Sequence, residues 1–174
     1  MRKATMTLAL LTVPLFSARS IAGPPAFDQG ASHVGVVVKD LAKSTAFYTG
    51  VLGMTKTGSF DVDAAFGKAS GLTGGVPFHV DVLRLVDQPN AAQFKLMSFG
   101  KDTKTARSAH IQDGLGMRYL TLDVADLTPF VARLKAAGVP LLGQTPIPLG
   151  EGANHFVLVQ DPDGTFIELI GPMR

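Results

Sequence analysis

The chain has 174 residues, 46% of them hydrophobic and 17% charged, with no cysteine and a formal net charge of +2. The lack of cysteine excludes a disulfide framework, a thiolate metal centre and a lipid-modified N-terminal cysteine. The charge balance excludes the strongly basic surface that tracks a nucleic-acid backbone, and the length suffices for one cored domain.

Residues 1–22 read as a secretory signal. Arg2 and Lys3 supply a positive start, Thr5 to Phe16 is a mostly apolar run, and Ser20-Ile21-Ala22 before Gly23 has the small residues of a cleavage site. The run is shorter than a comfortable bilayer span, so export with cleavage is expected, to the periplasm or the outside, with no stable membrane anchor. Cleavage removes three of the 16 basic side chains (Arg2, Lys3 and Arg19) and none of the 14 acidic ones, leaving 13 against 14. The exported protein is then close to neutral, and no nucleic-acid partner is expected. Residues 23–31 are read as a tail.

From Ser32 to Val38 the chain alternates, His33, Gly35 and Val37 on one side and Val34, Val36 and Val38 on the other, which predicts a strand with one apolar face. Asp40 can cap a helix over 41–52 that Gly53 stops. The Gly-rich stretch 54–77 is read as a loop. Strands are predicted over 78–86 and 92–99, joined through Asp87-Gln88-Pro89-Asn90. A polar linker, 101–116, follows. The phrase Val38-Lys39-Asp40-Leu41 then returns as Val124-Ala125-Asp126-Leu127, 86 residues on (124 against 38). Leu127, Phe130, Val131 and Leu134 at i, i+3, i+4 and i+7 predict a second amphipathic helix, ended by Gly138. Another loop, 139–154, leads to strands over 155–160 and 165–170, joined by the strong turn signal Asp161-Pro162-Asp163-Gly164. The chain is therefore an internal duplication.

The stretches from His33 to Leu41 and from Phe47 to Met54, the Asp161–Gly164 turn and Ile167-Glu168-Leu169, set in a repeated order of strand, helix and three strands, resemble the vicinal oxygen chelate superfamily. Glyoxalase I, methylmalonyl-CoA epimerase, bleomycin-resistance proteins and extradiol dioxygenases belong to it. The resemblance spans residues 32–172 and implies an α+β fold of two βαβββ modules, module one over 32–100 and module two over 117–172. Their sheets are expected to curve into paired half-barrels covered by helices. It also implies a homodimer.

In that superfamily metal ligands sit on the concave sheet face, on the first and last strand of each module, and the positions that match are His33, Lys95, Tyr119 and Glu168. The repeat aligns the same residues: His33 and Tyr119 each precede the paired valines by five, and Phe94-Lys95-Leu96 aligns with Ile167-Glu168-Leu169. An imidazole and a carboxylate suit a divalent metal, whereas a lysine ammonium repels one and tyrosine seldom ligates zinc, nickel or magnesium. If a metal binds, His33 and Glu168 hold it; otherwise no cofactor is expected. The favoured role for Lys95 is charge substitution, its ammonium taking the metal's place and pairing with Glu168; a lysine base or Schiff-base nucleophile is the alternative. His33 is read as a general base, a ligand donor or a satisfied residue at a strand start. Arg84, Thr121, Met97, Phe99 and Phe166 are candidate ligand contacts, the last three as apolar wall. His110 and His155 are read as surface or loop histidines unless one enters the cavity to complete a metal site.

Two functions follow. One is an exported module that binds a small organic molecule in the concave cavity between half-barrels without the usual metal. The other is a glyoxalase-like lyase, isomerase or epimerase acting next to a carbonyl, metal-dependent or not, with His33 or Glu168 abstracting the proton and Lys95, Tyr119 or a metal stabilising the enolate. Tyr119 stands where an extradiol dioxygenase needs a histidine, which disfavours that reaction. Export argues against glutathione and CoA adducts as substrates.

Overall fold

Asp40 caps a helix as its position after an apolar strand suggests. Its carboxylate accepts the Lys43 amide at 3.0 Å and starts α1, Leu41–Ala46, which continues as a π-helical turn over Phe47–Val51 until Gly53, at φ 78°, reverses the chain. The computed structural model describes residues 30–100 and 107–174. The signal read at 1–22, the tail up to residue 29 and the first six residues of the linker lie outside the described residues. No helix among the described residues is long and apolar enough to cross a membrane.

The first sheet contains β1 (Val34–Val37), β2 (Thr55–Val62), β3 (Phe78–Arg84) and β4 (Gln93–Ser98), in the spatial order β1-β4-β3-β2. The second contains β5 (Tyr119–Asp123), β6 (Ile147–Pro148), β7 (Asn154–Gln160) and β8 (Phe166–Pro172), in the order β5-β8-β7-β6. In each, the first and last strands pair in parallel and the other pairs are antiparallel. Two further helices are α2, Ala64–Ala69, capped by Asp63, and α3, Thr128–Ala136. The fold is thus α+β, with two mixed four-stranded sheets of the same connectivity, neither closed into a barrel.

The stretch 54–77 is not a loop. Eight of its residues, Thr55–Val62, form β2, an edge strand exposed at every position but Val62. A sequence that buries neither face has no apolar alternation to read, and a bulge between Lys56 and Gly58 breaks the phase further. The second loop, 139–154, likewise contains the two-residue β6.

Alternation along the inner strands decides which face is covered. Leu83, Phe94, Leu96, Leu122, Val157, Ile167 and Leu169 point to the helices and join Phe47, Tyr48, Leu127 and Leu134 in one apolar cluster drawn from both halves. At its centre is a polar contact. Tyr48, with no exposed surface, donates its hydroxyl to Asp161 Oδ2 at 2.8 Å, while Asp161 Oδ1 accepts the amides of Asp163 at 3.0 Å and Thr165 at 2.8 Å. Asp163 in turn accepts the Lys39 amide and the Ser44 hydroxyl, each at 3.3 Å. The helix of one half is therefore held on the β7–β8 turn of the other. Arg133, on α3, returns the contact by donating to the Val51 carbonyl at 2.8 Å. Burial, reinforced by the Asp161 charge, pushes the Tyr48 phenol far above its ordinary range, so it acts as a permanent donor.

Tyr48→Phe deletes one of the three hydrogen bonds to a buried carboxylate while keeping the ring's packing. It is expected to cost about 1–3 kcal/mol in urea denaturation at neutral pH. An unchanged midpoint would show that the hydroxyl contributes nothing.

Candidate functional site

With one face of each sheet given to the helices, the residues of opposite parity form the other face. On the first sheet the register puts Val37, Met97 and Val80 in one transverse row, Gly35, Lys95 and Val82 in the next, and Gln93 beside Arg84 in a third. His33 flanks that third row, its Nδ1 accepting the Gln93 amide at 3.0 Å. In the neutral ring this leaves the proton on Nε2, free to donate. On the second sheet the rows are Tyr119 with Phe166 and Gln160, Thr121 with Glu168 and Leu158, and Asp123 with Ile170 and Phe156. Thr121 donates its hydroxyl to Glu168 Oε2 at 2.7 Å.

All four aligned positions, His33, Lys95, Tyr119 and Glu168, thus have the parity of the face turned away from the helices. The structure brings them together in two pairs rather than as a quartet. His33 and Lys95 share the first sheet and Tyr119 and Glu168 the second, and no ion pair joins Lys95 to Glu168, contrary to the expected charge pairing. The reason is geometric. Lys95 is on β4 and Glu168 on β8, each one strand in from the edge of its own sheet, and β1 and β5 are those edges. Where β1 and β5 approach, a cavity of about 300 Å³ is lined by Gly35, Val37, Arg118 and Tyr119 among others. Lys95 and Glu168 are half-buried, whereas Tyr119 is 49% exposed.

The remaining candidates divide by role. Phe99 stacks on Phe78 with ring centroids 5.0 Å apart, the Met97 methyl lies over Gly35, and Phe166 is buried wall. Arg84 donates through Nη1 to the Gln88 carbonyl at 3.1 Å, while its buried Nε has no hydrogen-bond partner. His110 caps the short 3₁₀ turn Ile111–Asp113 and is exposed. His155, opposite Gly171, has the helix-side parity, so it cannot join Glu168.

The divalent metal that the resemblance implies does not fit these residues. The four positions offer an imidazole, an ammonium, a phenol and a carboxylate, and no group of three or more histidine, aspartate or glutamate side chains suited to a metal occurs among the described residues.

A second polar cluster lies on the helix side of the first sheet, where the alternation of β3 turns His79 and Asp81 while Arg84 takes the other face. His79 Nδ1 lies 2.6 Å from Asp61 Oδ1 and its Nε2 lies 3.3 Å from Asp81 Oδ1. Asp81, 3% exposed, also receives Lys56 Nζ at 2.7 Å and the Thr45 hydroxyl of α1 at 2.9 Å. The hydrogen bond to Asp61, aided by Asp81 and opposed by slight desolvation, raises the His79 pKa above 6.5. Burial works to raise the Asp81 pKa, but the donors Lys56, Thr45 and His79 outweigh it and hold the carboxyl below its ordinary value. The shared parity of His79, Asp81 and Leu83 was a readable signal; Lys56 and Asp61 gave none because β2 was not recognisable as a strand.

The sequence model of the Glyoxalase/Bleomycin resistance protein/Dioxygenase superfamily matches residues 30–169. No curated protein sequence matches the chain. Among solved structures, a glyoxalase family protein from Bacillus cereus superposes with a TM-score of 0.70 at 20% identity, covering 88% of this chain and 99% of that one. A glyoxalase I mutant from Zea mays superposes with a TM-score of 0.60 at 22% identity over 81% of this chain, which spans 46% of the maize protein. The fosfomycin resistance protein FosX from Listeria monocytogenes gives 0.56 at 17% identity, covering 84% and 96%. These likenesses support the fold.

The helix-side cluster has a pH signature. Stabilisation from the raised His79 pKa is fully present below about pH 6.5 and is lost as pH rises through the higher folded value; that from Asp81 is present above about pH 4 and lost as pH falls. The urea midpoint is expected to drop between pH 6 and pH 8.5, and His79→Gln should flatten that limb. An equal drop in the variant would sink this assignment.

Proposed function

The chain belongs to the Glyoxalase/Bleomycin resistance protein/Dioxygenase superfamily, and from that premise we propose that it binds a small organic molecule on the concave faces of its sheets without the superfamily's divalent metal. The observation that carries this reading is Lys95. It occupies the position equivalent to Glu168, half-buried, with no hydrogen-bond or ion-pair partner among the described residues. A cation so placed opposes metal binding and is available to a ligand instead. Phe99, Met97 and Phe166 supply apolar wall, and Thr121 and Arg84 supply polar contacts. The signal read at 1–22 makes this an exported binding protein, periplasmic or extracellular, whose ligand is met outside the cytosol. Two copies pairing as a homodimer complete the proposal.

A second reading, proton transfer next to a carbonyl by a glyoxalase-like lyase or isomerase, is favoured by one contact. The Thr121 hydroxyl holds Glu168 Oε2 and leaves Oε1 without a hydrogen-bond partner among the described residues, as a positioned carboxylate base requires.

The first test is metal content by mass spectrometry, on mature protein purified without chelator or histidine tag and then exposed to Zn, Ni, Mn and Fe. Far less than one ion per chain is expected for every metal. Stoichiometric binding would overturn the metal-free reading. Glu168→Gln separates binding from catalysis: if the second reading holds, it abolishes deuterium exchange at the carbon next to a carbonyl while ligand affinity survives.

A further inference from the structure

We propose that the ligand is an amphipathic organic anion, a carboxylate on a compact aryl or branched alkyl body, whose charged group sits between Arg84 and Lys95 on the first sheet. This rests on the reading that the concave faces bind a small molecule, and it specifies which one. Across the face, His33, Arg84 and Lys95 are donors, and the paired positions of the edge strand, Thr55, Gly58 and Phe60, add no acid. The corresponding face of the second sheet carries Asp123 and Glu168, with no lysine or arginine in its register rows. An anion is therefore drawn to one half of the surface and repelled from the other.

The cationic pair suits a carboxylate. Val82 is directly opposite Lys95, and Arg84 lies two residues further along the same strand. Such diagonal positions are about 7–8 Å apart, within reach of long side chains. Lys95 has no partner among the described residues, and Arg84 Nε is buried without an acceptor. A half-buried ammonium and an unsatisfied guanidinium nitrogen call for an acceptor, and a carboxylate offers two oxygens. Room exists in the same row, because beyond Val82 it ends at Gly58, above which the space is open, whereas the Met97 methyl covers Gly35.

Apolar surface lies one row away. Val37 and Phe60, 42% and 46% exposed, flank Met97 and Val80, two residues along the strands from the Lys95 row. Two residues of strand span about 7 Å, roughly the length of a substituted benzene ring. An anion held at Lys95 would lay its body over Met97 and Val37.

The probes are benzoate, 4-methylbenzoate and 3-methylbutanoate, each compared with its primary amide, titrated into the full mature protein by calorimetry and by backbone amide NMR. The acids are expected to bind and to shift the resonances of Gly35, Val82 and Lys95, with the amides about tenfold or more weaker. Arg84→Gln and Lys95→Met should each lower acid affinity about tenfold at an unchanged melting temperature, and Lys95→Arg should restore most of it. If the amides bind as well as the acids, or the variants keep full affinity, the anion assignment is wrong and the small-molecule reading stands. If no compound of either series shifts a concave-face resonance, both are overturned. Should Lys95→Met melt early, the acid-to-amide ratio in the unaltered protein decides the matter alone.

Discussion

The hydrogen bond from Tyr48 to Asp161 is the contact on which the arrangement of the two halves depends. A tyrosine hydroxyl and an aspartate carboxylate, each with almost no exposed surface, would be costly to bury separately. Together with the amides of Asp163 and Thr165 they satisfy one another, and in doing so they fix α1 of the first half on the β7–β8 turn of the second. The apolar cluster can then be shared, with Leu96 and Leu83 from one sheet and Leu169 and Val157 from the other packed around the same helices. Because that shared core occupies one face of each sheet, every polar residue of opposite parity is committed to the far side. The candidate binding face is therefore a by-product of how the core is closed.

The duplication is symmetric in its strands and asymmetric in its chemistry. Counting from the repeated phrase, Leu134 stands where Tyr48 stands, and it is equally buried, but as an apolar side chain with no carboxylate to reach. The exposed faces diverge in the same way. Lys95 has Glu168 as its counterpart, and the first sheet gathers cations where the second gathers acids. Two copies of one topology have become the two unlike ends of a single surface.

Much of this was legible in the amino-acid sequence because it rests on local rules. Asp40 caps, Gly53 reverses the chain, Asp161-Pro162-Asp163-Gly164 turns, and alternation in the inner strands places Lys95 and Glu168 on the face opposite Leu96 and Leu169. Distance across the seam was not legible. Parity says which face a side chain occupies but not how many strands lie between two such side chains, so the expected Lys95–Glu168 pair does not form. The polar cluster around Asp81 was hidden for another reason. It depends on Lys56 and Asp61 from an edge strand that buries almost nothing and so carries no periodic signal, and on Thr45 from α1, 36 residues before Asp81. The sequence reading of residues 1–22 concerns a segment that the described structure does not include.

The contact between Tyr48 and Asp161 joins residues 113 positions apart. No early turn or helix can stand in for it, and closing so long a loop is a slow step in assembling a chain. A chain emerging from its N-terminus would hold Tyr48 and Ser44 without these partners until nearly all of it had been made. The seam between the two halves therefore closes only once the β7–β8 turn exists, and until then the polar side of α1 has nothing to dock on.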